Sequence, residues 1–78
     1  MKLSFKVNWK NDYGCVTETS VCGRYVLASY LYMEYNGALR RSPLYFVGYE
    51  NQTGRRLTPK NALLSRQSVI DILEGIAE

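Results

Sequence analysis

Tyr25–Tyr49 reads YVLASYLYMEYNGALRRSPLYFVGY, two apolar, tyrosine-rich runs that meet at Asn36-Gly37. Asn-Gly between β-rich runs is the strongest short-range hairpin signal, because both central positions of a type I′ turn need φ > 0. With those residues as the loop, Tyr35 opposes Ala38, Met33 opposes Arg40, Leu31 opposes Ser42 and Leu27 opposes Phe46. Alternation along each strand then divides the side chains. Leu27, Leu31, Met33, Leu44 and Phe46 share a face that reads as core. Val26, Tyr30, Tyr32, Arg41, Tyr45, Val47 and Tyr49 share the other, an aromatic face with a cation among the rings.

A helix over residues 19–35 is the rival reading, and it would make the chain ββαββα. Leu27, Ala28, Leu31, Met33 and Glu34 are good helix formers, and Val21, Tyr25, Ala28, Tyr32 and Tyr35 fit one helical face. Apolar residues would then ring the whole helix, which suits only a fully buried one. β-branched and aromatic content favours strands, and the hairpin is the reading adopted.

Working outward, Leu3, Phe5, Val7 and Trp9 alternate with Lys2, Ser4, Lys6, Asn8 and Lys10. This is the pattern of a half-buried strand, with the apolar side expected in the core and the lysine side in water. Asn11–Gly14 reads as a turn, Cys15–Val21 (CVTETSV) as a second strand, and Gly23 as a break. Pro43 cannot donate to a ladder, so the stretch from Arg40 to Pro43 is an edge or a bulge. Asn51–Gly54 is a further turn, after which Arg55–Leu57 returns as a short strand. Thr58-Pro59 carries the signature of a helix start. Ser65 and Arg66 would interrupt the apolar stripe, so a break is expected there, with Ser65 capping a second segment. In that segment Val69, Ile70, Leu73, Ile76 and Ala77 form one apolar face, with Asp71, Glu74 and Glu78 away from it. The expected fold is α+β, a small antiparallel sheet with hairpins around Asn11-Gly14, Asn36-Gly37 and Asn51-Gly54, packed against a C-terminal helix.

The chain has 78 residues, enough for one domain over 1–78. A chain this short buries only about 60% of its unfolded surface, so its core is thin. Ten basic and seven acidic residues give a net charge of +3, which permits nucleic-acid contact without arguing for it. No apolar run approaches the length of a membrane span. Lys2, Lys6 and Lys10 interrupt any signal-peptide core, so a cytoplasmic protein without a membrane partner is expected. Cys15 and Cys22 read as reduced thiols there.

The chain contains no histidine, the commonest general base and metal ligand. Two cysteines without histidine cannot complete a zinc site, and no phosphate loop or nucleophile elbow occurs. Neither a cofactor nor a metal is expected. Glu18, Glu34 and Glu50 could face one another across strands, but read as solvated charge. The residues offer no set of catalytic roles, so the protein is expected not to be an enzyme.

Seven tyrosines are the unusual feature. Tyrosine combines contact area, few rotatable bonds and a hydrogen-bonding tip, and is enriched at binding surfaces. Arg40-Arg41 and Arg55-Arg56 are basic pairs beside turns, suited to carboxylate or phosphate groups. The candidate partner-binding residues are therefore Tyr30, Tyr32, Arg40, Arg41, Tyr45, Tyr49, Arg55 and Arg56. They suit a small non-enzymatic module that engages a protein partner and regulates or inhibits it. Small proteins of this size often act by occluding a larger machine, and phage or mobile-element inhibitors of the anti-CRISPR type are one such class, although no motif carries that step. Nucleic-acid binding through the same tyrosines and arginines is the alternative. A homodimer with the tyrosine face as its interface is a third.

Overall fold

Asn36 and Gly37 both take positive φ, 50° and 78°, as the type I′ turn requires. The computed structural model describes residues 2–10, 15–60 and 62–77, with the side chains of residues 34 and 35 outside the description. Four strands, β1 (Phe5–Lys10), β2 (Val16–Ser20), β3 (Tyr25–Tyr35) and β4 (Ala38–Glu50), precede one helix, α1 (Arg66–Ala77). The strands form an antiparallel sheet in the order β1-β2-β3-β4. The α+β architecture is thus the expected one, and residues 19–35 hold strand rather than helix. The turn expected at Asn11–Gly14 lies outside the described residues, while β1 and β2 on either side of it pair antiparallel.

The hairpin starts in the expected register, Tyr35 opposite Ala38 and Met33 opposite Arg40, but does not keep it. Between Tyr32↔Arg41 and Tyr30↔Tyr45 the pairing shifts. Ser42, Pro43 and Leu44 bulge from β4 against Leu31 alone, because Pro43 has no N–H to give the ladder. The expected pairs Leu31–Ser42 and Leu27–Phe46 are therefore replaced, and Leu27 faces Gly48. The slip is by an even number of residues, so each side chain keeps its face.

Helix α1 lies against the face holding Leu27. Tyr25, Leu27, Val69, Ile70 and Leu73 form the buried core, with Leu3, Phe5, Phe46, Leu57, Leu64 and Ala77 packed around it. Gly48 lets the helix come close, since a Cβ there would lie 3.0 Å from Leu73 Cδ2 and 3.1 Å from Val69 Cγ1. A helix of twelve residues spans about 18 Å. Strands of eleven and thirteen residues span roughly 36–43 Å, and the molecule is 37 Å long. The hairpin therefore overshoots its cover. Leu31 and Met33 stay half-exposed, and Leu44, expected in the core, is 53% exposed.

Three further expectations need correction. Helix does not begin at Thr58-Pro59. The Thr58 hydroxyl, which would have capped it, instead accepts the Gly48 N–H at 3.3 Å. The Thr58 and Pro59 carbonyls accept bonds from the Arg56 guanidinium. Ser65 does cap α1, its Oγ accepting the Ser68 N–H at 3.2 Å. On the helix, Ile76 is 47% exposed rather than core. The Glu74 carboxylate, expected in water, accepts the Leu3 N–H at 2.6 Å. Glu78 lies outside the described residues.

The Asn51–Gly54 turn closes with the Gly54 N–H donating to the Glu50 carbonyl. The chain then returns along the outer edge of β4. Arg56 bridges Tyr49 and Leu64 bridges Phe46, as isolated pairs rather than a fifth strand. Among the described residues, no helix is long and apolar enough to cross a membrane.

Candidate functional site: the open face of the sheet

Among the described residues no helix covers the second face of the sheet, and there Tyr30, Tyr32, Tyr45 and Tyr49 gather. Tyr30 and Tyr45 pair across β3 and β4 and their rings stack, with centroids 5.5 Å apart. Tyr49 stands four positions along β4, about 13 Å from Tyr45 at strand spacing. Its hydroxyl nevertheless lies 3.1 Å from that of Tyr30, so the two rings lean toward each other over Val47. This explains why Val47 is 1% exposed and Ala28, opposite it, 6% exposed on a face without a helix. The Tyr45 hydroxyl donates to the Tyr32 carbonyl at 3.0 Å. Tyr30, Tyr45 and Tyr49 are thus half-buried and interlocked.

Burial raises the pKa of Tyr30 well above the usual phenol value, and the neighbouring Tyr49 hydroxyl adds to the shift. Burial raises Tyr45 as well, against a lowering influence from Arg56. Tyr30 and Tyr45 are therefore neutral at any physiological pH.

The cations flank this layer. Arg41 is exposed directly opposite Tyr32, itself 37% exposed. Arg56 stands opposite Tyr49 across a pair framed by the Glu50 N–H to Arg55 carbonyl and Leu57 N–H to Gly48 carbonyl bonds. The structure does not bring Arg40 and Arg55 to this group. Arg40 pairs with Met33, and successive strand residues point to opposite faces, so it lies on the helix side beyond the end of the helix. Arg55 is exposed at the end of the turn.

Trp9 was expected in the core and is instead 54% exposed, and Val7 is 62% exposed. The register shifts between Val7 and Trp9, and Trp9 pairs with Thr17 on the open face. Lys6 pairs with Thr19 on the same face. Neither was among the residues expected at a binding surface, and no glycine or proline in β1 marks this bulge.

The carboxylates are engaged elsewhere. Glu18 bonds Arg66 and Glu50 accepts the Thr53 hydroxyl. Cys15 is half-buried, Cys22 is exposed, and no disulfide joins them. Cys22 lies beside Ser20, with 3.3 Å between Sγ and Oγ, a contact that lowers the thiol pKa. It lines an open concavity with Gly23, Arg24, Glu50, Asn51 and Gln52. No group of three His, Cys, Asp or Glu among the described residues is placed to hold a metal ion.

No protein-family model matches the chain, and comparison with curated proteins and with solved structures gives no significant match.

Proposed function

We propose that the protein is a non-enzymatic binding module that engages a protein partner through the open face of its sheet, and regulates or inhibits that partner by covering part of its surface. The observation that carries this reading is the interlocked layer of Tyr30, Tyr45 and Tyr49, flanked by the exposed Tyr32–Arg41 pair. Rigid aromatic area lowers the entropy lost on binding, and arginine beside it supplies directional contacts. The interlocking favours protein over nucleic acid. Tyr30 and Tyr45 stack on each other rather than standing apart to receive bases, and Arg56 already bonds two backbone carbonyls.

Single-stranded nucleic acid is the second reading. The exposed rings of Trp9 and Tyr32 beside Lys6 and Arg41 favour it.

The test uses Tyr32→Ala/Arg41→Ala, because removing Tyr30, Tyr45 or Tyr49 would strip the cover from Val47. Immobilised protein is exposed to host lysate with and without nuclease treatment, and each captured protein is purified and rebound. The expected result is a protein that rebinds wild type, is lost with the double variant, and is kept by Gln67→Ala on the exposed side of α1. Capture abolished by nuclease, or undiminished in the double variant, would overturn the reading.

A further inference from the structure

The bulge in β1 gives the open face a second margin. Val7 pairs with Glu18 on the helix side and Trp9 with Thr17 on the open side. Without the bulge, alternation would place Val7 and Trp9 together. The pairing then continues in rows. Trp9, Thr17, Ala28 and Val47 form one row, and Lys6, Thr19, Val26 and Tyr49 the next, with Arg56 beyond Tyr49. The middle of both rows is small: Thr17, Thr19, Val26 and Ala28. A lane of low relief therefore runs along β2 and β3. Trp9 and Lys6 border it on β1, Tyr49 borders it on β4, and Tyr30 stands at its end on β3, beyond Ala28. At strand spacing these borders stand about 14 Å apart, room for one extended chain between them.

Charge selects the occupant. Among the described side chains, this face carries Lys6, Arg41 and Arg56 and no carboxylate, because Glu18 and Glu50 are on the helix side. Glu34 occupies a register position opposite Leu39, beyond Arg41 at the tip of the hairpin. Lys6 therefore stands at one side of the lane and Arg56, its guanidinium bonded to the Thr58 and Pro59 carbonyls, at the other, with Arg41 about 20 Å further along the strands opposite Tyr32.

We propose that this lane takes an extended, carboxylate-rich segment of a protein partner, which lies between Trp9 and Lys6 on one side and the tyrosine layer on the other and runs on along the strands to Arg41. The inference rests on the protein-binding reading and adds to it the chemistry of the partner and the β1 border. Like charges would be rejected by the same residues, so the face discriminates against basic partners.

Trp9 is the only tryptophan in the chain, so its fluorescence reports on the lane itself. The full chain is titrated with a random glutamate–tyrosine copolymer and, separately, with oligothymidylate. The expected result is a saturable change in Trp9 emission with the copolymer. Affinity falls about tenfold, or 1.4 kcal/mol, in Lys6→Ala and again in Arg41→Ala, and is unchanged in Gln67→Ala. No change in emission, or full affinity in Lys6→Ala, overturns the inference. If Arg41→Ala alone then weakens the copolymer, the protein-binding reading survives on the β4 side. If neither variant does, both readings fail for this face. Tighter binding of oligothymidylate than of copolymer assigns the face to single-stranded nucleic acid and also overturns the inference.

Discussion

Arg66 holds Glu18 with two bonds, Nη2 to Oε1 at 2.8 Å and Nε to Oε2 at 3.1 Å. Arg66 opens α1, where a cation opposes the helix dipole. Glu18, reaching from the neighbouring strand, offsets that charge, and its bonds raise the Arg66 pKa further. The Glu18 side chain is only 12% exposed, whereas that of Arg66 is 47% exposed. Removing the arginine therefore leaves a nearly buried carboxylate without its partner. Arg66→Ala is expected to lower stability by about 1–3 kcal/mol in urea denaturation, and Glu18→Gln, which keeps an acceptor, by less. Equal stability of Arg66→Ala and wild type would show that the pair contributes nothing.

Gly48 faces Leu27 and receives Leu73 and Val69 from the helix. A methyl group would meet both side chains at 3.0–3.2 Å. Each is wholly buried and has little room to move. Gly48→Ala should cost about 1–3 kcal/mol. Gly75, whose added Cβ meets nothing within 4 Å, should gain from the same substitution, by up to about 1 kcal/mol. Thermal melts of the two variants would shift in opposite directions.

The tyrosine layer makes stability fall in alkali. Tyr30 and Tyr45 have pKa values raised in the fold, chiefly by burial. Unfolded tyrosines ionise near the usual value of about 10. The unfolded chain therefore loses protons first as pH rises. The stability these groups contribute is present below that value and is lost between it and their higher folded values. Absorbance titration should show a late-ionising fraction of the seven tyrosines. Tyr30→Phe should diminish that fraction and flatten the alkaline loss of stability.

Cys22 should be alkylated before Cys15. Its thiol is exposed and its pKa is lowered, first by Ser20, whereas Cys15 is half-buried. Limiting iodoacetamide followed by peptide mass analysis reads the order. Earlier labelling of Cys15 would contradict the exposure and hydrogen bonding at Cys22.

Local signals with a steric cause were legible. Asn36-Gly37 declared its turn because few residues tolerate positive φ, and Ser65 declared its cap. Pro43 announced a bulge, but its size depends on pairing across the strand, and so Gly48 rather than Phe46 came opposite Leu27. Thr58-Pro59 misled because the Thr58 hydroxyl serves β4 instead of a helix, a choice made by tertiary contact. Tyr25, the largest fully buried side chain among the described residues, is placed by strand period, two residues before Leu27 on the helix side and apart from Tyr30 and Tyr32. In the candidate site, strand period alone brought Tyr30, Tyr32, Arg41, Tyr45 and Tyr49 together. The same period argues against grouping Arg40 with Arg41, since neighbours in a strand point apart. Trp9 was misplaced because one bulge inverts every later side chain, and Asn8 gives no warning of it.

The most direct test of the account is amide chemical-shift mapping of the labelled chain with the purified captured partner. The account predicts that shifts concentrate on the open face, at Lys6, Thr17, Thr19, Tyr32, Arg41 and Tyr49, and leave Gln67 and Asp71 on α1 unmoved. Shifts confined to the outer side of α1, with Tyr32 and Arg41 unchanged, would contradict it.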